Sequence, residues 1–600
     1  MKLQTLLALS ALGLVSVSAS SPRVNGWFPC AESDDGDKGA PNGTLASLAR
    51  FECAQVEVPL CYDGVCDSDA TIELFVKRRL AKHTLADGHA RAVIWVSGGP
   101  GQPSPVEEGS FDRFYDALNA SVDMYTMDHR GTGRSEFLEC EASQAMTGGS
   151  PEGIDVTSEE MINCVRDLSV KYDGNAAAFS VTSAARDIQT VIETFMPKHK
   201  VFVNGASYGT FLAQRVMQLK LPQVVGYIYD GVDVLTTEKD PFESANSHGN
   251  QAILGVSTRF FQYCYDAKNC PMTFKSRDTV LEEVMALYAK LDDETDSNAC
   301  SKLLMSLFDV EDKPSRALRP WLGGMAGKAE SRVDVYAILG HLQTCSEEDQ
   351  SIIKKLFAKA QGGAQDEDDD DHATKEDDSD GDNDADDAEA AADDDENTGK
   401  YASPDRVKLD SGLLYNVVAY SERWHRPTPT TAEFMSFFES GPFTGNFSGE
   451  QIGYCIFSGF HDAGCAEFVT ASEDTKAASF QYDVDKYFEA PMVLPDHASA
   501  LIFNGGLDFA TPVEFGELLY DKVKDSGRGA IMVTFDFGGH VSGESVAGNP
   551  TSACHDAIWK AFVLSDGAIE SIDTWCMSEL PVMAFSADSE PTDDSEGTVG

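Results

Sequence analysis

The most constraining feature of this sequence is an alternation of short apolar segments with patterns of helical period. Each apolar segment ends in glycine or a polar residue, which is typical of a buried parallel strand that opens into a loop. Strands that alternate with helices predict a mostly parallel, doubly wound α/β sheet. The predicted strands are 92–99, 122–131, 200–207, 224–231, 500–508 and 530–540, with 71–80 as a half-exposed antiparallel strand. The predicted helices between them are 111–119, 183–196, 208–220, 512–522 and 555–564.

The alternation stops near residue 235 and resumes near residue 495. The intervening pattern is mostly helical, and an insertion between two halves of one sheet is typical of a cap over the strand ends. We therefore expect core residues 20–236 and 495–582, separated by a large helical cap over 237–494. Open α/β sheets bind their ligands at the carboxyl ends of their strands, beneath such a cap.

Charge is concentrated in one segment of the predicted cap. The chain carries a net charge of −53, and residues 366–396 contain 19 acidic residues and one lysine. Because this segment has no aromatic or β-branched aliphatic residue, it has little with which to build a core. We predict a disordered acidic insert over 362–400 and a flexible acidic tail over 583–600. The rest of the chain is also acidic, which argues against nucleic acid as a partner.

The N-terminus predicts export. Residues 1–19 combine one lysine, a short apolar stretch and a small-residue cleavage site, which is typical of a secretory signal peptide. No other apolar run is long enough to cross a bilayer, so no membrane partner is expected. Three glycosylation sequons begin at Asn42, Asn119 and Asn446. We therefore expect a secreted, extracellular protein.

The cysteines agree with export. Fourteen cysteines, an even number, suggest disulfides in a secreted chain. Zinc is the competing interpretation, but the sequence has no C-x-x-C pair and its histidines are scattered, so no metal site is predicted. The pairs closest in sequence are Cys61/Cys66, Cys264/Cys270, Cys455/Cys465 and Cys554/Cys576.

A candidate nucleophile lies in the sequence Gly-Ala-Ser-Tyr-Gly, residues 205–209. This G-x-S-x-G form has meaning only between a strand and a helix, and the flanking patterns predict that arrangement. A serine on so sharp a turn needs small neighbours, and the helix that follows directs free N–H groups toward a developing oxyanion. Ser207 is therefore the predicted nucleophile, with an ordinary glycine-rich turn as the alternative.

A base and an acid follow in the chain order Ser, Asp, His that is typical of α/β-hydrolases. Asp508 follows the first predicted strand after the cap, and His540 follows the last one. We predict that His540 is the general base and that Asp508 orients it. Asp230 is the rival acid, since it follows the strand before the cap. His555 is the weaker alternative base, because it falls at the start of a helix.

The oxyanion hole needs two backbone donors. One is the N–H of Tyr208, which follows the nucleophile. The other is expected from the loop 96–104, where Gly99 is the predicted donor because Pro100 has no N–H. No organic or metal cofactor is needed for this chemistry.

Colinear motifs resemble the proline iminopeptidase and tripeptidyl aminopeptidase group of α/β-hydrolases, with the secreted tripeptidyl aminopeptidase branch the most similar. The resemblance covers both halves of the sheet and weakens across the cap. One departure is Ser97, where the group often has His, Asn or Pro. The motifs are SGGPG (97–101), MDHRGTGRS (127–135), TSAARDIQTVIETF (182–195), NGASYGT (204–210), YCYDAKNCP (263–271), GGLDFATP (505–512), GGH (538–540) and the C-terminal stretch 552–576.

The resemblance implies an α/β-hydrolase fold and a serine exopeptidase that cleaves peptides from their free N-terminus, releasing single residues or tripeptides. It carries the triad onto Ser207, Asp508 and His540. Asp128 and Arg130 are expected to form a structural ion pair or to support a turn. The alternatives are a carboxylesterase or lipase-like enzyme with the same triad, and a non-catalytic binding protein with a hydrolase fold.

Overall fold

The structure is a computed structural model. It describes residues 22–30, 50–146, 150, 156–236, 240, 244–360, 410–444, 450–468, 478–541, 552–583 and 585. The predicted signal peptide, the acidic insert, the sequons at Asn42 and Asn446, and residues 586–600 of the predicted tail lie outside these residues. Asn119 is described and is exposed at the end of a helix, with a positive φ of 52°.

A nine-stranded sheet in the order β1-β2-β3-β5-β4-β6-β7-β8-β9 forms the centre of the protein. The first three strands come first in this order and pair antiparallel with one another, and β3 pairs antiparallel with β5. All remaining pairs are parallel, so the carboxyl ends of these strands meet at one edge of the sheet. The strands are Phe28–Cys30, Phe51–Pro59, Thr71–Arg79, Arg91–Val96, Asp123–Met127, Lys200–Ala206, Val224–Asp230, Ser499–Gly505 and Ala530–Phe535, numbered β1 to β9 in chain order.

Helices cover both faces of the parallel strands. Because successive side chains in a strand point to opposite faces, Trp95 packs with Phe114 and Trp559 on one face, while Ile94 belongs to the core of the other. The strand order and the two helical layers are those of the α/β-hydrolase fold, as the sequence predicted. The helices of the two core segments are Pro105–Ala117 (α1), Ser158–Lys171 (α2), Val181–Phe195 (α3), Tyr208–Gln218 (α4), Val513–Val523 (α15) and Ser552–Leu564 (α16).

The segment between β7 and β8 is helical wherever the structure describes regular elements in it. Much of it forms a core of its own, in which Phe260 stacks on Tyr336 with ring centroids 4.1 Å apart. Two of its helices, α12 and α14, instead pack into the core of the sheet through Val417 and Phe457. These helices are Gly249–Ala252 (α5), Leu254–Asp266 (α6), Val280–Asp293 (α7), Ala299–Phe308 (α8), Ser315–Ala326 (α9), Arg332–Thr344 (α10), Glu347–Ala360 (α11), Gly412–Glu422 (α12), Thr431–Glu439 (α13) and Glu450–Phe457 (α14).

All 14 cysteines are paired in disulfides. The four pairs that sequence proximity suggested are among them, and seven disulfides fit an oxidising compartment. No helix in the described part of the chain has both the length and the apolar character that a membrane span requires. The disulfides are Cys30–Cys53, Cys61–Cys66, Cys140–Cys164, Cys264–Cys270, Cys300–Cys345, Cys455–Cys465 and Cys554–Cys576.

Candidate active site

Ser207 lies on a strained turn between β6 and α4, with φ 54° and ψ −128°. Non-glycine residues rarely adopt a positive φ, and such strain persists only where the surroundings enforce it. The amide of Ser207 donates to the carbonyl of Asp230 over 2.9 Å, which ties the turn to the end of β7. The Ser207 side chain makes no capping bond to the helix it precedes. The sequence-predicted elbow is therefore present, and its serine is not used as a helix cap.

The two glycines of the motif allow the backbone to fold this tightly. A Cβ at Gly205 would lie 2.3 Å from the carbonyl oxygen of Gly209. A Cβ at Gly209 would lie 2.2 Å from the carbonyl oxygen of Val96 on the neighbouring strand β4. Both distances are far below van der Waals contact, and the clashing atoms belong to the backbone. The motif therefore reflects packing between β4, β6 and α4 as well as the position of a nucleophile.

We expect Gly205→Ala to lower the free energy of unfolding by about 3 kcal/mol, because the added methyl group overpacks a rigid turn. Chemical denaturation measures the change. Gly109→Ala is the matched control, since a Cβ at Gly109 in α1 meets nothing within 4 Å and alanine favours a helix. Wild-type stability of the Gly205 variant would contradict the close packing of this turn.

Asp508 and His540 form a hydrogen-bonded pair beyond the ends of β8 and β9. The Nδ1–H of His540 donates to Oδ2 of Asp508 over 2.9 Å. Asp508 is fully buried, and its Oδ1 accepts the backbone amides of Ala510 and Thr511 over 2.8 and 2.7 Å. The His540 side chain is 32% exposed, so its ring reaches the surface of the site. A buried carboxylate held by several donors fixes the tautomer and orientation of the imidazole.

Thr511 is a member of this site that the sequence reasoning missed. Its hydroxyl donates to Oδ2 of Asp508 over 2.7 Å, and its oxygen lies 3.1 Å from Nδ1 of His540. It therefore contacts both members of the pair. The available signal was its position three residues after Asp508 in a turn, because an aspartate that opens a turn accepts hydrogen bonds from the residues that follow it.

The rival acid and the weaker alternative base pair with one another. Nε2 of His555 lies 3.1 Å from Oδ2 of Asp230, and its Nδ1 lies 3.2 Å from Oδ1 of Asp556. His555 is buried in α16 against Phe503, with ring centroids 4.2 Å apart. With carboxylates at both ring nitrogens, His555 has no free nitrogen to serve as a base. Asp508–His540 and Asp230–His555 are thus separate pairs, and of these two only the His540 ring is accessible.

The predicted oxyanion loop lies against the elbow. A Cβ at Gly98 would be 3.2 Å from Cβ of Ser207, so this loop and the nucleophile are in direct contact. Gly99 follows with φ 108°, and both Gly99 and Tyr208 line the same pocket as Ser207. Tyr208 is the first residue of α4, and its amide has no partner within the helix. The two proposed donors therefore belong to residues that line the same pocket as Ser207.

His129 contacts the predicted oxyanion loop through the backbone of Ser97. Its Nε2 lies 3.2 Å from the carbonyl oxygen of Ser97, and its ring is buried edge-on against Tyr208. Burial lowers the pKa of His129, so the ring is neutral and donates one hydrogen bond. The sequence reasoning did not single out this residue, although it falls within the motif at 127–135.

Asp128 and Arg130 do not pair with one another, in contrast to the simplest form of the sequence expectation. Asp128 is buried and pairs with Arg134 over 2.8 Å, while its Oδ1 accepts the amide of Ser104. Arg130 is buried and forms a bidentate pair with Asp187 of α3 over 2.6 Å. Each therefore forms a structural ion pair with a different partner, Asp128 with Arg134 a few residues along the chain and Arg130 with Asp187 of the helix α3.

A pocket of about 290 Å³ opens beside Ser207. Ile253, Phe509 and Phe515 give it an apolar wall. Its polar wall contains Asp233, which forms a buried ion pair with Arg423 from the segment between β7 and β8. Burial lowers the pKa of Arg423 to about 10 and raises that of the nearby Glu450 to about 7. A second cavity of about 520 Å³ adjoins the pocket, since Ser244 and Arg423 line both.

Metal chemistry has no evident site in the part of the chain that the structure describes, where no three His, Cys, Asp or Glu side chains cluster in a way that would hold an ion.

No family model matches the chain. The chain is similar to a protein named putative hydrolase YuaR of Escherichia coli (strain K12), with 26% identity over 272 residues, which cover 44% of this chain and 52% of the relative. The chain thus matches about half the length of this curated relative.

Solved structures with a similar arrangement include epoxide hydrolase VrEH1 from Vigna radiata, with a TM-score of 0.30 and 11% identity over 86% of this chain and 97% of that one. An esterase from Exiguobacterium antarcticum has a TM-score of 0.26 and 12% identity over 78% and 89% of the two chains. The fold assignment rests on the strand order and on the elbow at Ser207.

Proposed function

We propose that this chain is a serine hydrolase that removes residues from the free N-terminus of peptides. One observation carries the proposal: Ser207 on its strained elbow and the Asp508–His540 pair all follow the carboxyl ends of parallel strands at one edge of the sheet. Ser, His and Asp in these roles support acyl transfer in several unrelated folds. The similarity to a putative hydrolase and the aminopeptidase-like motifs favour the same class of reaction.

In the proposed reaction, Nε2 of His540 takes the proton of Ser207 as the hydroxyl oxygen attacks the carbonyl carbon. Asp508 accepts the Nδ1–H bond and stabilises the imidazolium that forms. The amides of Gly99 and Tyr208 stabilise the oxyanion. His540 then protonates the leaving amine, and water hydrolyses the acyl-enzyme by the same steps in reverse.

Recognition of a free amine is the finer part of the proposal. Asp233 lines the pocket with Ser207, and only 4% of the residue is exposed. Its Oδ2 pairs with Arg423, while its buried Oδ1 has no hydrogen-bond donor among the described residues. A buried acceptor without a donor is costly unless a ligand supplies one. An amine or amide N–H of a substrate meets that requirement.

The apolar wall of the pocket favours a second candidate, an esterase or lipase-like activity with the same triad. Ile253, Phe509 and Phe515 suit an acyl chain as well as an apolar side chain of a peptide. The two candidates differ in whether a free amine is required.

We expect a dipeptide or tripeptide coumarylamide with a free N-terminus to be hydrolysed with a kcat/KM about 10²-fold or more above that of its N-acetylated analogue. Acetylation removes the positive charge and two of the three N–H donors that the pocket would recognise. Both substrates are compared on the wild type, with Ser207→Ala as the baseline and p-nitrophenyl butyrate as the ester. Equal rates for the two peptides, or turnover of the ester alone, would favour the esterase.

Secretion is also a proposal. The seven disulfides, together with the signal-like residues 1–19, support an extracellular location in which the substrates are peptides.

A further inference from the structure

The pair formed by His555 and Asp230 is buried, and it adjoins the candidate active site through Asp230. His555 lies on α16, on the face of the sheet that also carries α1. It is 5% exposed, and its ring packs against Phe503, Phe535 and Phe114. The position is unusual because the ring is polar and titratable, lies among aromatic side chains, and takes no direct part in the proposed reaction.

Geometry gives the protonation state of this ring. Nε2 faces a carboxylate oxygen of Asp230 at 3.1 Å, and Nδ1 faces a carboxylate oxygen of Asp556 at 3.2 Å. Ionised carboxylates only accept hydrogen bonds, so both ring nitrogens must carry protons for both contacts to be favourable. His555 is therefore held as an imidazolium between two acids. The carboxylates outweigh burial and raise its pKa to about 8.

Asp230 connects this pair to the proposed nucleophile. The carbonyl of Asp230 accepts the amide of Ser207 over 2.9 Å, while its carboxylate accepts the bond from His555. One residue at the end of β7 thus contacts Ser207 with its backbone and the buried imidazolium with its side chain.

The next residue, Gly231, connects the same point to the proposed base. A Cβ at Gly231 would lie 3.3 Å from both Cε1 and Nδ1 of the His540 ring, so that ring rests directly on Gly231. The Gly231 amide also donates to the carbonyl of Phe503 over 3.1 Å. A shift of the Asp230–Gly231 peptide would therefore move the surfaces that locate both Ser207 and His540.

We infer that His555 is a positioning residue for the proposed hydrolase, which as an imidazolium anchors Asp230 and thereby locates Ser207 and His540, so that its deprotonation sets an alkaline limit to activity. The inference rests on the proposed function. It assigns the buried pair a role distinct from the Asp508–His540 pair.

The charges around His555 explain the direction of the effect. Asp230 of β7 and Asp556 of α16 contact the ring, and Arg113 of α1 lies 3.4 Å from Asp556. Glu107, also on α1, is buried near Asp230, and burial with the charge of Asp230 raises the pKa of Glu107 to about 7. As pH rises from 6 to 9, Glu107 gains a negative charge and His555 loses its positive one. The end of β7 is then left among carboxylates without their buried cation.

The test is the pH dependence of Ser207 labelling by a fluorophosphonate, followed from pH 5 to 10 on the full-length protein. We expect a bell-shaped profile, since the base must be neutral on the acid side and His555 protonated on the alkaline side. We expect the wild-type labelling rate to fall about tenfold or more between pH 7 and 10, because small displacements of reacting groups are costly.

Two variants separate titration from packing. His555→Gln combined with Asp556→Asn replaces the ring by an amide that can still donate to Asp230, so we expect a lower rate at pH 7 but no alkaline limb. Asp556→Asn alone removes one anion that favours the imidazolium, so its alkaline limb should move to lower pH. A merely structural role for His555 would change the rate at every pH without moving this limb.

The matched control is His199→Gln. His199 forms a similar pair with Asp123 over 3.1 Å. This pair lies at the amino ends of β5 and β6, whereas the site lies at the carboxyl ends of the parallel strands. We expect the wild-type profile for this variant. An alkaline limb that is the same in the wild type and in both network variants would overturn the inference while leaving the hydrolase intact. No labelling of Ser207 at any pH would contradict both the inference about His555 and the proposed hydrolase function.

Discussion

Ser207→Ala is expected to lower the hydrolysis rate of the preferred substrate by roughly 10⁶-fold and to abolish fluorophosphonate labelling. The reason is that the hydroxyl oxygen of Ser207 is the atom that would form the acyl-enzyme. Alanine keeps the Cβ and fits the same turn, so the variant should fold with the same near-ultraviolet circular dichroism. Labelling mapped by mass spectrometry to the peptide that contains Ser207, and absent in the variant, is the direct measurement.

Ser301→Ala is the matched control for this experiment. Ser301 is fully buried on α8 in the segment between β7 and β8, and its hydroxyl has no hydrogen-bond partner in the described structure. Its removal should leave labelling and turnover unchanged. If Ser207→Ala retained substantial turnover, the elbow would be a structural turn, and the active site would have to be sought elsewhere.

Asp508→Asn is expected to lower kcat by about 10⁴-fold with a much smaller change in KM. An amide at this position directs an N–H toward Nδ1 of His540, which forces the ring into the tautomer with its proton on Nε2. That tautomer has no lone pair with which to accept the proton of Ser207. Steady-state kinetics on the free-amine peptide at a pH where the wild-type base is neutral measures the loss.

Asp349→Asn is the control for Asp508→Asn, because Asp349 also pairs with a histidine ring. Oδ1 of Asp349 lies 2.7 Å from Nδ1 of His341, on helices α11 and α10 within the segment between β7 and β8. We expect no change in kcat for this variant. A loss of less than tenfold for Asp508→Asn would indicate that another acid orients the base, and Asp230 would be excluded as that acid by its bond to His555.

The sequence predicts the parallel strands well because each is a short apolar run that ends in a loop. The predicted segment 200–207 corresponds to β6 at Lys200–Ala206, and 224–231 corresponds to β7 at Val224–Asp230. Strand β2 was not predicted, although Phe51–Pro59 alternates buried and partly exposed residues as a strand should. Helix α1 begins at Pro105 rather than near 111, because proline is well suited to the first turn of a helix.

The site residues could be proposed from sequence where their positions depend on local structure. Ser207, Asp508 and His540 each follow a strand, so their shared edge follows from parallel pairing alone. The partners of Arg130 and His555 could not be proposed in this way. Arg130 pairs with Asp187, and His555 pairs with Asp230, which is far away in the chain. Such contacts depend on how helices dock onto the sheet, and no local pattern encodes that.

The disulfides also bear on the order in which the protein assembles. Every disulfide closes within a single segment, either before β7, between β7 and β8, or after β9, and the widest spans 45 residues. Each can therefore form as its own segment folds in an oxidising compartment. The pairing of β7 with β8, which joins the nucleophile to the acid and the base, requires Gly226 to meet Ser499 after the whole intervening segment has been accommodated. Closing so long a loop costs conformational entropy, and the disulfides within each segment do not offset that cost. We therefore expect the disulfides to form before activity appears during refolding.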